Sequence, residues 1–143
     1  MINGKSVLAL IPARGGSKRL PKKNLKELAG KSLIEWTANS ALEAKHVDRV
    51  VVSTDCSDIA REAKRLGVEV PFMRPSEIAN DTASTESVIL HAVKELPNEA
   101  CEIVVILQPT SPLRLASDID QAIEKMVASE AEGVVSVLSL IHI

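Results

Sequence analysis

Two stretches of this chain are apolar without interruption, and they constrain its fold more than any other feature. Ser6-Val7-Leu8-Ala9-Leu10-Ile11 and Ile103-Val104-Val105-Ile106-Leu107 have strand length and no polar alternation. A strand whose apolar side chains point both ways must be covered on both faces, which is the situation inside a parallel sheet. Arg49-Val50-Val51-Val52-Ser53 is a third such run. Val68-Glu69-Val70-Pro71-Phe72 is a weaker one, and Pro71 places it at an edge or ends it. A fifth strand is predicted over 133–138.

Helical patterns lie between these runs. Ser32-Leu33-Ile34-Glu35 has the S-x-x-E spacing of a capping box, and Ile34, Ala38, Ala41 and Leu42 extend it as an apolar stripe. Ile59, Ala63 and Leu66 form a second stripe, and Gly67 suits the left-handed residue after its end. Val88, Ile89, Ala92, Val93 and Leu96 form a third, stopped by Pro97; Ser117 caps a fourth that carries Ile119, Ile123, Met126 and Val127. The order β-α-β-α-β-α-β-α-β predicts an α/β fold, a mostly parallel sheet with helices on both faces. The 143 residues suffice for one domain with a core, and residues 1–143 are read as a single domain.

Ligands of such sheets bind beyond the carboxyl ends of the strands, where the strand order reverses. Three polar segments fall at such ends: the loop after the first strand, Thr54-Asp55, and the stretch from Gln108 to Arg114. The first of these is basic. Between residues 14 and 31 stand Arg14, Lys18, Arg19, Lys22, Lys23, Lys26 and Lys31, against Glu27 alone, although the whole chain has a net charge of −2. A local basic focus in a mildly acidic chain suits a small polyanion rather than a long one. Trp36 and Phe72 are too few to build the stacking platforms that hold single-stranded nucleic acid, so no nucleic-acid partner is expected. No apolar run reaches membrane-spanning length, no secretory pattern opens the chain, and no membrane partner is expected. Cys56 and Cys101 form no C-x-x-C unit and read as reduced, core-facing thiols of a cytoplasmic protein; His46, His91 and His142 are isolated, and no metal ligand is assigned.

At the strand exit, Gly15 and Gly16 allow backbone amides to approach an anion, and Arg14, Lys18 and Lys23 can neutralise phosphate charge. Leu20 stands where a Walker A loop needs its second glycine, and the dinucleotide fingerprint G-x-G-x-x-G is absent. A solvated basic loop is the plain alternative on charge counting. The position at the end of a buried strand favours the anion site.

Ile11-Pro12-Ala13-Arg14-Gly15-Gly16-Ser17-Lys18-Arg19-Leu20-Pro21-Lys22-Lys23-Asn24 resembles the nucleotide-binding loop of the CMP-sugar synthetases, in particular the acylneuraminate (CMP-sialic acid) cytidylyltransferases. Val52-Ser53-Thr54-Asp55, Arg74-Pro75, Asn80-Asp81-Thr82-Ala83-Ser84-Thr85 and Leu107-Gln108-Pro109-Thr110-Ser111-Pro112-Leu113-Arg114 resemble later motifs, in family order. The resemblance implies a Rossmann-like nucleotidyltransferase fold and a reaction in which CTP and a nine-carbon 2-keto acid sugar give the CMP-sugar and pyrophosphate. It implies that Arg14 and Lys23 bind the triphosphate and stabilise the transition state. Gly15, Gly16, Ser17, Asn24, Arg74 and Thr85 would contact the nucleotide, and Gln108 the acceptor sugar. Local readings stand beside these: Asn24 suits a turn, Arg74 and Asp81 suit a bracing pair, Gln108 suits the strand end, and Asp55 suits either a ligand or the cap of the next helix.

The family continues past the length of this chain, and its dimerisation segment and magnesium-binding aspartate pair lie in that later portion. The expectation is therefore a chain cut short, with Mg2+ held by residues beyond it and a homodimer formed by the full-length parent. Asp118 and Asp120 are read as first-turn carboxylates of the last helix and not as metal ligands. Ser136-Val137-Leu138-Ser139-Leu140-Ile141-His142-Ile143 resembles the family weakly. A CTP-binding fragment without turnover is the second reading. N-acetylneuraminate leads as acceptor, with legionaminate and pseudaminate behind it; 3-deoxy-manno-octulosonate is the more distant choice.

Overall fold

The computed structural model describes residues 1–16, 19–96 and 101–137. Its centre is β1 (Val7–Pro12), flanked by β4 (Arg49–Ser53) on one side and β5 (Ile103–Ile106) on the other. Both pairings are parallel, with Leu10 opposite Val51 in one and opposite Ile106 in the other. The absence of alternation in β1 has the expected cause. Val7, Ala9 and Ile11 face a core shared with α1 (Leu33–Glu43), α2 (Ser57–Arg65) and α4 (Ala116–Ala128), through Ile34, Ala38, Ile59, Ala63, Ile119 and Ile123. Leu8 and Leu10 face the opposite core with Val51, Ala92 and Leu96, under α3 (Thr85–Glu95). Each fully buried Leu, Ile or Val here contributes about 1.5–3 kcal/mol relative to exposure. Helices thus cover both faces, three on one and one on the other. Because the chain moves from β1 to β4 on one side and reaches β5 on the other, strand order reverses at the carboxyl end of β1.

Local signals set the helix ends. Ser32 Oγ accepts the Glu35 amide at 3.2 Å, and Ser84 Oγ accepts the Ser87 amide at 3.1 Å. The Glu35 carboxylate turns to Arg65 on α2, at 3.3 Å. α4 begins before Ser117: Asp118 Oδ2 accepts the Leu115 amide at 2.9 Å, the first-turn role expected of it. Asp120 acts differently. It is buried and accepts the amides of Lys45 and His46 at 2.9 and 3.0 Å, tying α4 to the turn between α1 and β4.

The structure corrects several sequence expectations. The strand predicted around residue 70 shrinks to one parallel bridge, Val51 with Glu69, because Pro71 has no N–H with which to extend the ladder. Over 133–137 no strand forms: Val135 and Val137 lie exposed without a ladder partner among the described residues, and Leu138 lies outside them. Pro97, the expected stop of α3, also lies outside them. The basic loop ends in an unpredicted hairpin, β2 (Glu27–Leu28) with β3 (Lys31–Ser32), whose turn residues Ala29 and Gly30 both have positive φ. Leu42 and Val93 are exposed. Each follows an alanine, Ala41 or Ala92, that already occupies the line of closest approach, and one residue turns a helix by about 100°. No helix among the described residues is long and apolar enough to cross a membrane.

Candidate functional site

A cavity of about 220 Å3 opens where the strand order reverses. Arg14 reaches it from the end of β1, Lys23 and Asn24 from the 3-10 turn Lys23–Leu25, and Arg74 from the segment after the Glu69 bridge. Thr85 reaches it from the start of α3 and Gln108 from the end of β5. Six residues singled out by sequence, spread over 95 positions from Arg14 to Gln108 counted inclusively, line one wall-to-wall space. Gly15 and Gly16 belong to the loop beside it but not to its lining, and Ser17 lies outside the described residues.

The basic loop is braced from inside and outside. Asn24 is buried and its Nδ2 donates to the Arg14 carbonyl at 3.0 Å, so it closes the loop while facing the cavity. Lys22 adopts a left-handed conformation, φ 52°, and its ammonium meets Asp58 of α2 at 2.9 Å. That contact raises the Lys22 pKa and lowers that of Asp58. Lys23 stays in the cavity wall without an ion pair among the described residues.

The two arginines of the cavity differ in kind. Arg14 is about one-third exposed and forms a hydrogen-bonded ion pair with Asp81 on the opposite wall. The bracing pair that Arg74 and Asp81 suit as a local alternative does not form; Asp81 pairs with Arg14. Arg74 is buried and turns to the end of β4: Nε donates to Ser53 Oγ at 3.1 Å and Nη2 to the Ser53 carbonyl at 2.7 Å. Burial lowers the Arg74 pKa; Asp55 opposes that shift, and Arg14 adds to it. Among the described residues, three cations, Arg14, Lys23 and Arg74, therefore line the cavity against one carboxylate, Asp81. An anion that entered would find a net positive wall and one carboxylate to displace.

Gly15 has a requirement that its motif does not reveal. A Cβ built on it would stand 2.6 Å from the Cys56 Cβ, so the loop lies too close to the start of α2 for a side chain. Its φ lies outside the left-handed range, which leaves contact as the reason. Its amide is also already engaged, donating to Asp55 Oδ1 at 2.8 Å. The expectation of a free glycine pair is thus corrected: Gly15 is a packing residue with an occupied amide, whereas Gly16 has open space around it. Gly15→Ala is expected to destabilise the protein by about 1–3 kcal/mol, the usual range for overpacking. Adding Cys56→Gly should recover most of that loss in a double-mutant cycle by chemical denaturation; purely additive losses would show that the contact is not the cause.

Gln108 is exposed at the cavity rim, and it is its carbonyl that serves the strand end, accepting Arg114 Nη2 at 3.1 Å and the Ser111 amide at 3.2 Å. The residue also lines the cavity, so the strand-end role of its carbonyl does not exclude a ligand role for its side chain. Cys56 and Cys101 are half-buried against the two cores. A larger hollow of about 490 Å3 lies by the hairpin, lined by Glu27, Glu35, Glu62 and Arg65 among others. Its acidic lining is wrong for a triphosphate, and Glu35 and Glu62 are already paired with Arg65.

A parallel sheet with helices on both faces and a cation-lined cavity at its reversal point make a Rossmann-like α/β fold with an anion-binding edge. The family model described as cytidylyltransferase matches residues 8–142, and the chain belongs to that family. The match takes in most of 136–143, which the motifs alone leave outside the resemblance. The chain is 42% identical over 124 residues to the CMP-N,N'-diacetyllegionaminic acid synthase of Legionella pneumophila, covering 82% of this chain and 52% of that protein. It is 36% identical over 140 residues to the N-acylneuraminate cytidylyltransferase of Oncorhynchus mykiss, covering 96% of this chain and 31% of that protein. Among solved structures it resembles a CMP:2-keto-3-deoxy-manno-octonic acid synthetase complexed with CTP. That likeness has a TM-score of 0.75 at 26% identity and covers 89% of this chain and 49% of the other. The chain spans about half the length, or less, of the curated relatives it matches.

Proposed function

We propose that the cavity holds CTP, and that the whole protein transfers its cytidylyl group to a nine-carbon 2-keto acid sugar, releasing pyrophosphate. The observation that carries this reading is the convergence of Arg14, Lys23, Asn24, Arg74, Thr85 and Gln108 on one cavity at the reversal point. In the reaction the sugar's anomeric hydroxyl oxygen forms a bond to the α-phosphorus, and the bond from that phosphorus to the pyrophosphate oxygen breaks. Such transfers depend mainly on positioning and on neutralising charge. Arg14 and Lys23 supply that neutralisation, with Arg14 exchanging Asp81 for phosphate oxygens. Arg74 has three N–H donors engaged by protein, to Ser53 Oγ, the Ser53 carbonyl and the Ile78 carbonyl. With five in all, it keeps two for a ligand. Gln108, uncharged, places no repulsion beside the acceptor's carboxylate. The cavity is smaller than the roughly 300–1,000 Å3 typical of small-molecule sites, so these residues enclose part of the ligand.

Magnesium belongs to the proposal by family resemblance alone. Among the described residues Asp81 is the carboxylate that lines the cavity, and it is paired with Arg14; no group of three potential ligands gathers among them. A second reading is a CTP-binding unit that does not turn over by itself, since the chain spans about half the length, or less, of the curated relatives it matches. A homodimeric parent, a cytoplasmic location and a place in cell-surface polysaccharide biosynthesis complete the proposal by resemblance. For the acceptor, N-acetylneuraminate, legionaminate and pseudaminate are the three to compare.

The test is twofold. Calorimetry of this chain should give saturable binding of CTP and weaker binding of GTP, and absence of CTP binding would overturn the assignment. A coupled pyrophosphate assay of the full-length parent with CTP, magnesium and each of the three acids should show turnover with one of them. The 143-residue chain is expected to release little pyrophosphate under the same conditions, which is what the second reading requires.

A further inference from the structure

The end of β4 takes no part in the cavity lining, yet it holds two of the cavity's walls. The Ser53 carbonyl accepts the Ala13 amide at 2.9 Å, carrying the β1 register one residue into the basic loop. The same carbonyl and the Ser53 hydroxyl accept the Arg74 guanidinium. The Thr54 carbonyl accepts the Arg74 amide at 2.8 Å, and Thr54 Oγ1 accepts the Cys56 amide at 3.1 Å. Asp55 completes the set through its bond to the Gly15 amide at 2.8 Å, at the place where the loop runs too close to Cys56 for a side chain. Ser53 and Thr54 are wholly buried, whereas Asp55 is exposed. An exposed carboxylate bonded to a loop amide is not the helix cap that its position in the sequence suggests.

We propose that Asp55 is a positioning residue: by holding the Gly15 amide it fixes the backbone next to Arg14, and so the direction in which Arg14 enters the cavity. Among the described residues three bonds hold that backbone, the Ala13 amide to Ser53, the Gly15 amide to Asp55 and the Asn24 side chain to the Arg14 carbonyl. Two of them come from the end of β4. Asp55 is the member whose loss leaves the core untouched, because its side chain is exposed and joins neither hydrophobic cluster. The proposal rests on the reading of the cavity as a CTP site. It adds a residue that touches no ligand and works by limiting where the loop can go before the ligand arrives. A site ordered in advance does not lose affinity to the ordering of its own backbone.

The test uses Asp55→Ala and Asp55→Asn in the full chain. Asparagine keeps an oxygen acceptor where aspartate has one and alanine does not. In the ligand-free protein, hydrogen exchange at the Gly15 amide should quicken about tenfold in Asp55→Ala and stay near the parent rate in Asp55→Asn, as expected for loss of one hydrogen bond to a charged group. CTP affinity by calorimetry should fall about tenfold in Asp55→Ala, with unfolding temperature nearly unchanged, and recover largely in Asp55→Asn. Equal exchange rates in the parent and Asp55→Ala overturn the proposal. So does unchanged CTP affinity in Asp55→Ala, or a loss that the asparagine fails to restore. If the parent itself binds no CTP, the functional reading falls; the exchange measurement still reports separately whether Asp55 holds the loop.

Discussion

Arg14→Ala is expected to abolish measurable CTP binding while leaving the fold intact. Among the described residues the Arg14 guanidinium serves one partner, Asp81, across a pair in which each side chain is about one-third exposed. Pairs of that kind contribute about 0–1 kcal/mol to stability. The structural loss is therefore small, and the unfolding temperature should fall by no more than a few degrees. The binding loss is larger, because the guanidinium is the charged donor that sits where β1 opens into the loop. Charge-assisted bonds from arginine to phosphate are among the strongest polar contacts proteins make, and losing them should weaken CTP binding by about a hundredfold or more. Isothermal calorimetry beside a thermal melt would check this. Unchanged affinity, or a collapse of the fold, would remove Arg14 from the site.

Arg74→Met should reverse that balance between stability and binding. Arg74 lines the same cavity, but it is buried and its guanidinium fills the acceptors at the end of β4. Methionine occupies much of the same path and donates nothing, so the Ser53 hydroxyl and carbonyl, both in a fully buried residue, lose that partner. Removing one side of a buried, charged hydrogen-bond set costs about 3 kcal/mol. For a domain of this size that corresponds to a fall in unfolding temperature of roughly 10 °C. A fall of only a degree or two would show that Arg74 is held for the ligand and not for the scaffold. The two variants together separate the arginine that awaits a ligand from the one that holds the wall.

Much of the fold was legible because β1, β4 and β5 are buried on both faces and carry no polar alternation. The strands expected around residue 70 and over 133–137 do not form because a short, largely apolar segment becomes a strand only when it pairs with an edge. Val70 is followed by a proline, and Val135 and Val137 lie exposed without a ladder partner among the described residues. The hairpin before α1 was missed because Ala29, at the first turn position, is not a residue that usually signals positive φ. At the site, charge and glycine content marked the loop, and the family motifs named Arg74, Thr85 and Gln108, which the fold brings to the cavity of Arg14.

The sequence by itself determined the alternation of strand and helix, the burial of both sheet faces and the basic segment at the first strand's end. These follow from side-chain type and spacing along the chain. Tertiary structure alone decided who pairs with whom: Asp81 with Arg14 rather than Arg74, Asp55 with the Gly15 amide, and Asp120 with the amides of Lys45 and His46. Their partners lie 67, 40 and about 75 residues away in sequence. Coulomb attraction and hydrogen bonding depend on distance in space, and no local spacing rule records it. The same holds for Gly15, whose missing side chain is explained by Cys56 approaching through the fold and not by any turn in its own backbone.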